Sequence, residues 1–153
     1  MNVLSAMLDS LDQFDREHGA NGTRTHLALV KQVHKPWGSE RWLVPEGSPF
    51  GFKVITINAG ERTSLQYHRN KEEANLVLGG QGRLFVGSRV GAPLAEYALV
   101  VGEIVHVVPG IVHRIEAVTD LVLVEVSTPE LDDVVRIEDD AGRGDGRIEL
   151  EHQ

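Results

Sequence analysis

Apolar side chains change their spacing near residue 27. Before it, Leu4, Met7, Leu8, Leu11 and Phe14 recur at intervals of three and four, with Asp9, Asp12, Asp15 and Arg16 between them. That period predicts an amphipathic helix over 1–18, closed by the turn residues His18 to Gly22. Its acidic polar face does not suit a membrane surface; it suits capping of the domain or pairing with a second copy. From Leu27 onward the pattern breaks into short strands, predicted at 27–34, 39–44, 52–58, 64–68, 73–78, 82–86, 95–100, 104–108, 111–116, 121–127 and 133–137. Pro36-Trp37-Gly38, Pro45 to Pro49, Asn58 to Gly60, Gly79-Gly80, Gly87 to Pro93, Gly102, Pro109-Gly110 and Thr119-Asp120 separate them. Many short strands at close spacing, with no helix between them, predict an all-β barrel or sandwich. The last stretch, 139–153, is rich in charge and glycine and reads as a loosely held tail.

Composition narrows the function before any motif does. At 153 residues the chain fits one domain, with 1–22 as helix and turn, 27–138 as the β-domain and 139–153 as the tail. Its formal charge is −8, which argues against a nucleic-acid backbone or an anionic membrane as partner. There is no cysteine, so disulfides and thiolate ligands are excluded and a cytoplasmic location is expected. No apolar run approaches the ~20 residues of a membrane span, and no basic-then-apolar leader opens the chain.

The chemistry concentrates in two segments. In Gly60 to Gly80, Gln66 and His68 stand two apart, so on a strand they share a face. A polar turn, Arg69 to Glu72, separates them from Glu73, and a hairpin would set Glu73 opposite the pair. In the second segment, His113 opens a strand after the Pro109-Gly110 turn. An amide oxygen, a carboxylate and two imidazoles suit one divalent ion, zinc first, with manganese, iron, cobalt and nickel as alternatives. Any one of these residues alone reads more readily as core or surface; the four together point to a metal centre. His18, His26, His34 and His152 have no such framework, and His106 reads as structural.

These residues resemble the two cupin motifs. The first runs Gly60, Gln66, His68, Glu73, Gly80, and the second Gly102, Pro109, Gly110, His113. More closely, Lys35 to Ser39 (KPWGS), Ala59 to Gln66, Pro109 to Arg114, Asp133 to Asp139 and Gly142-Arg143 resemble the C-terminal cupin domain of type II mannose-6-phosphate isomerase/mannose-1-phosphate guanylyltransferases. The resemblance covers about 33–143 and leaves out the N-terminal helix. It implies a double-stranded antiparallel β-barrel, jelly-roll-like, with the metal on Gln66, His68, Glu73 and His113. The chain departs from the family at Arg69, Asn70, Ala74, Asn75 and Ala141. A chain of this length has no room for the nucleotidyltransferase domain of the bifunctional enzymes.

Isomerisation of a sugar phosphate needs a polarised carbonyl, a base, and a cation for the phosphate or enediolate. Arg136, the arginine of the DIVR-like segment, is the first candidate cation, with an ion pair to Asp132, Asp133, Glu138 or Asp139 as its structural alternative. Lys53 is the second candidate for the site. Strand alternation turns Arg114 and Tyr67 away from His113, Gln66 and His68. The base stays open among Lys53, Glu116 and a metal-held hydroxide. The expected partner is a small molecule, a phosphorylated sugar, and the expected assembly a homodimer. Three classes remain: a mannose-6-phosphate isomerase-like enzyme, another metal-dependent cupin enzyme on a polar or carbohydrate-like molecule, and a non-catalytic sugar binder.

Overall fold

A computed structural model describes residues 2–14, 24–142 and the backbone of 146–147. Near the N-terminus, α1 spans Val3–Asp9, and a 3₁₀ turn follows over Ser10–Gln13. The Asn2 side chain caps α1 by accepting from the Ser5 N–H at 2.7 Å. The expected helix therefore holds through residue 13, interrupted by a change of pitch. Residues 15–18, the turn His18 to Gly22, Arg143, and His18 and His152 lie outside the described residues.

Twelve strands follow among the described residues. They are β1 (Gln32–Lys35), β2 (Gly38–Trp42), β3 (Gly51–Ile57), β4 (Leu65–Tyr67), β5 (Glu73–Gly79), β6 (Gly82–Gly87), β7 (Ala95–Leu99), β8 (Ile104–Val107), β9 (Val112–Ala117), β10 (Leu121–Ser127), β11 (Val135–Glu138) and β12 (Gly146–Arg147). The first expected strand starts late: Leu27–Leu29 form a 3₁₀ turn capped by His26, whose Nδ1 accepts from the Ala28 N–H at 3.1 Å. The two-residue β12 falls in the stretch expected to be a loose tail.

The strands form two antiparallel six-stranded sheets, ordered β1-β2-β3-β10-β5-β8 and β12-β11-β4-β9-β6-β7. The all-β reading stands, but the closed barrel does not. Among the described residues no ladder joins the two sheets, and neither sheet closes on itself. The chain instead changes sheet at turns, and the sheets pack face to face as in a jelly roll. The expected β4–β5 hairpin is corrected for the same reason. β4 pairs with β9 and β11 while β5 pairs with β10 and β8, so the two motif-one strands face each other across the sandwich.

The inner face of the first sheet changes character along its length. Ile57 and Leu121 pair at one end, followed by the rung Glu40–Ile55–Leu123–Val77. The next inward rung is Trp42–Lys53–Glu125–Asn75–Val105, and the last is Ser127–Glu73–Val107. The apolar end joins Trp37, Leu99, Ile115 and Ala117 in the core. At that end Leu121 and Leu123 are fully buried, each stabilising the fold by roughly 1.5–3 kcal/mol. Buried charged groups therefore gather toward one end of the sandwich, where Val105 and Val107 still join the apolar core.

Tight turns set this register. Gly80 has φ +84°, and a Cβ there would stand 2.0 Å from the Asp120 carbonyl oxygen. Gly80→Ala meets both an unfavourable backbone region and a backbone clash, and is expected to destabilise by about 1–3 kcal/mol. The midpoint of urea unfolding should fall, with an unchanged slope; a midpoint within error of the parent would show that the turn tolerates a side chain.

Candidate metal centre

At the polar end, three side chains from different parts of the fold converge. His68 follows β4, Glu73 opens β5 in the opposite sheet, and His113 lies on β9. All three are buried, and their ligand atoms lie within 4.8 Å of one another. His68 Nε2 is 3.5 Å from Glu73 Oε2, and His113 Nε2 is 3.4 Å from Glu73 Oε1. The imidazole rings stand 5.1 Å apart at 53°.

The far side of each imidazole fixes its orientation. His68 Nδ1 lies 2.5 Å from the Asp133 carbonyl oxygen, and His113 Nδ1 lies 3.1 Å from that of Ile111. A carbonyl only accepts, so each Nδ1 donates away from the centre and each Nε2 is left facing Glu73. This is how metal-binding histidines are held by their surroundings. His68 Nε2 is buried without a hydrogen-bond partner, which is costly unless a ligand completes it. The donor set therefore fits a divalent ion. Gln66 pairs with His113 across β4 and β9, so both side chains face the interior, and Gln66 lines the same cavity. Its Oε1 accepts the Ser64 hydroxyl at 2.6 Å.

The turn between His68 and Glu73 is held by Asp133. Its carboxylate accepts from the backbone N–H groups of Arg69, Asn70 and Lys71 at 3.1, 2.5 and 2.9 Å. Partial burial would raise the Asp133 pKa, but these three N–H groups outweigh it and hold the carboxyl below its usual value. One residue thus orients a ligand with its carbonyl and shapes the ligand turn with its side chain.

Two buried ion-pair systems line the cavity beyond the triad. Lys71 Nζ donates to Glu73 Oε2 at 2.6 Å and to Glu125 Oε1 at 3.2 Å. Lys53 Nζ donates to Glu40 Oε2 at 3.0 Å, an oxygen that also accepts from Trp42 Nε1 at 3.2 Å. Burial would lower the Lys71 pKa, but the Glu125 and Glu73 carboxylates reverse this and hold it above the ordinary lysine value. Burial would likewise raise that of Glu73; Lys71, His113 and His68 outweigh it and keep the carboxyl well below its usual range. Glu125 goes the other way, pushed up by burial and by the nearby Glu73 charge, against the pull of Lys71 and Lys53. The cavity holds about 60 Å³, room for a few waters or for an ion and part of a ligand.

Each expected site residue now has a place. Lys53 faces the cavity. Arg136 pairs with Gln66 across β11 and β4 and is buried, on the row that holds Gln66 and His113. Arg114 is turned away from the centre, as alternation predicts, but it is not a surface residue. Its guanidinium donates to the carbonyls of Thr63 and Glu138 and pairs with Asp140. Glu116 lies outside the cavity, 3.8 Å from Arg62 and 3.6 Å from Arg83, which removes it as a base for this site. His106 pairs with Glu72 at 2.6 Å on the surface. Lys71, Glu125, Glu40 and Asp133 escaped the sequence reading as members of the site. Glu125 had a signal, since alternation from the core residues Leu121 and Leu123 carries it inward.

The family model described as "Mannose-6-phosphate isomerase C-terminal" matches residues 21–139. The chain belongs to that family. Its relatives include the mannose-1-phosphate guanylyltransferase ManC of Salmonella typhimurium, 33% identical over 129 residues, covering 81% of this chain and 25% of the relative. The alginate biosynthesis protein AlgA of Pseudomonas putida is 30% identical over 148 residues, covering 94% and 27%. The chain thus spans about a quarter of the length of these relatives. Among solved structures, the capsular polysaccharide assembling protein CapF of Staphylococcus aureus aligns with a TM-score of 0.64 at 20% identity, over 78% of this chain and 34% of that one. Ectoine synthase of P. lautus aligns at 0.59 and 20%, over 69% and 77%. At such identity these two likenesses show the cupin fold alone. No helix among the described residues is long and apolar enough to cross a membrane.

Two outcomes test this isomerase-family centre. His68→Ala and His113→Ala should each strip zinc from protein loaded and desalted in parallel with the parent, measured by mass spectrometry of the metal. Full occupancy in the double variant would refute the triad. Asp133→Ala should cost about 1 kcal/mol, because three exposed or part-buried N–H groups lose a shared acceptor and can turn to water, and should weaken zinc binding without touching a ligand. Equal zinc affinity would show that the turn holds its shape unaided.

Proposed function

We propose that the cavity isomerises a phosphorylated aldose to the corresponding ketose, in the manner of mannose 6-phosphate and fructose 6-phosphate. What carries this reading is the family match over the whole β-domain together with an intact His68–Glu73–His113 set. A divalent ion held there, with Gln66 as a fourth ligand, would act as a Lewis acid toward the substrate's carbonyl oxygen. The protein's own groups supply the rest. Aldose-to-ketose conversion removes a proton from C2 and returns one to C1, while a hydroxyl proton passes from O2 to O1; nothing outside is oxidised or reduced. Glu125 lines the same cavity as the triad and is the carboxyl suited by position to carry the C2 proton. Lys53 and Lys71 face it from the same cavity and would favour the negative charge that develops on the enediolate. Arg136, on the Gln66–His113 row, is proposed to meet the phosphate.

One observation favours a second reading. The cavity ammonium groups are already engaged, Lys53 with Glu40 and Lys71 with Glu73 and Glu125. An interior so balanced suits a neutral polyhydroxylated ligand as well as an anionic one. Turnover separates the two. Under the first reading, the zinc- or manganese-loaded protein converts mannose 6-phosphate to fructose 6-phosphate and leaves mannose unchanged, and chelation abolishes the rate. Arg136→Ala should then weaken apparent affinity for the phosphorylated sugar by roughly 1.5–3 kcal/mol, with metal content unchanged. A metal-loaded protein that turns over neither sugar phosphate nor sugar would reject the isomerase reading. An unaltered KM in Arg136→Ala, with lowered stability, would make that residue structural.

A further inference from the structure

The Lys71 ammonium occupies a place that a bound cation would contest. Its Nζ lies 2.6 Å from Glu73 Oε2, the same oxygen that faces His68 Nε2 at 3.5 Å. It is buried, as are Glu73 and Glu125. A buried carboxylate is costly unless a cation neutralises it. Lys71 supplies that cation from within the chain. Glu125, 3.2 Å from the same nitrogen, is a second acceptor, brought there by β10 and set on the rung Lys53–Glu125–Asn75.

We propose that Lys71 is a resident counter-cation that competes with the divalent metal for Glu73, and that Glu125 receives the ammonium when Glu73 turns to the metal. In the metal-free protein Lys71 keeps the triad folded and electrically satisfied. In the metal-bound protein the same charge would face a divalent ion across one carboxylate, so metal affinity is set below what His68, Glu73 and His113 alone would give. The pair of acceptors makes the exchange possible. With one carboxylate the ammonium would have to leave the interior or remain on Glu73; with two it moves over without losing a buried partner. Lys71 is therefore a positioning residue for the metal ligand, and its sign is opposite to that of an ordinary supporting partner, whose removal loosens the metal.

That sign is the test, and it needs no substrate. It rests on the metal reading of the triad and not on the isomerase reading. Zinc affinity of the full chain is measured by competition with a chromophoric chelator at fixed pH, with His68→Ala as the control that lacks the site. Lys71→Met, which keeps the length of the stem and removes the charge, should bind zinc at least tenfold more tightly than the parent. Glu125→Gln, which keeps shape and removes the second acceptor, should bind at least tenfold more weakly. If metal-free Lys71→Met does not fold, zinc should rescue it, raising its thermal midpoint by more than it raises the parent's. Unchanged or weaker zinc binding in Lys71→Met would overturn the proposal and make Lys71 a support for Glu73. So would unchanged or tighter binding in Glu125→Gln. If no form binds zinc, the triad reading falls, and the proposal with it; if the parent binds and the two variants do not move, this proposal alone falls.

Discussion

Burying the carboxylate of Glu73 between two facing sheets is a cost that the surrounding structure must offset. Oε2 takes the Lys71 ammonium and faces His68 Nε2, while Oε1 faces His113 Nε2 and has Asn75 Nδ2 at 3.4 Å. Each of those groups then needs its own support. His68 leans on the Asp133 carbonyl, His113 on that of Ile111, and Lys71 on Glu125. The requirement to satisfy one buried charge thus spreads outward until it reaches backbone carbonyls.

This explains why the sandwich is divided along its length. Apolar packing of Ile57, Leu121, Leu123 and Val77 at one end is non-directional and supplies stability. The rungs at the other end hold Lys53, Glu125, Asn75 and Glu73 at fixed positions because their strands are already locked by the first set. A metal centre needs such precision, and a rigid sheet pair provides it better than loops do. The candidate ligands come from both sheets, so any change in the distance between the sheets changes the site.

The candidate ligands were legible in the chain because their spacing has a meaning that survives without coordinates. Gln66 and His68 share a strand face, and His113 sits at a fixed offset from a Pro-Gly turn. The strands were legible for the same reason, and their bounds differ from the expected ones by a residue or two except at 27–34. What alternation cannot show is which strands pair. The hairpin between β4 and β5 was the natural local solution, yet the two strands belong to opposite sheets, and barrel closure failed for the same non-local reason. Lys71 was hidden by its neighbours: between Asn70 and Glu72-Glu73 it reads as part of a solvated charge run, and only the approach of β10 with Glu125 makes it interior.

Asp133 shows how a distant segment becomes part of a local motif. It stands more than sixty residues from the turn it organises, with |i−j| of 62 to 65 to the four residues whose donors it satisfies. Read in sequence it was one of several acids beside Arg136, and an ion pair there was a reasonable expectation. In the fold its carboxylate is taken up by three backbone N–H groups, which no neighbouring side chain in sequence could have revealed. The same peptide segment that steadies His68 leads directly into β11, which sets Arg136 on the row of Gln66 and His113. A displacement of β11 would therefore move the orientation of His68, the ligand turn and Arg136 together. The acid–arginine segment and the histidine motif act as one mechanical unit, which gives a physical reason for the two to occur together in a single chain.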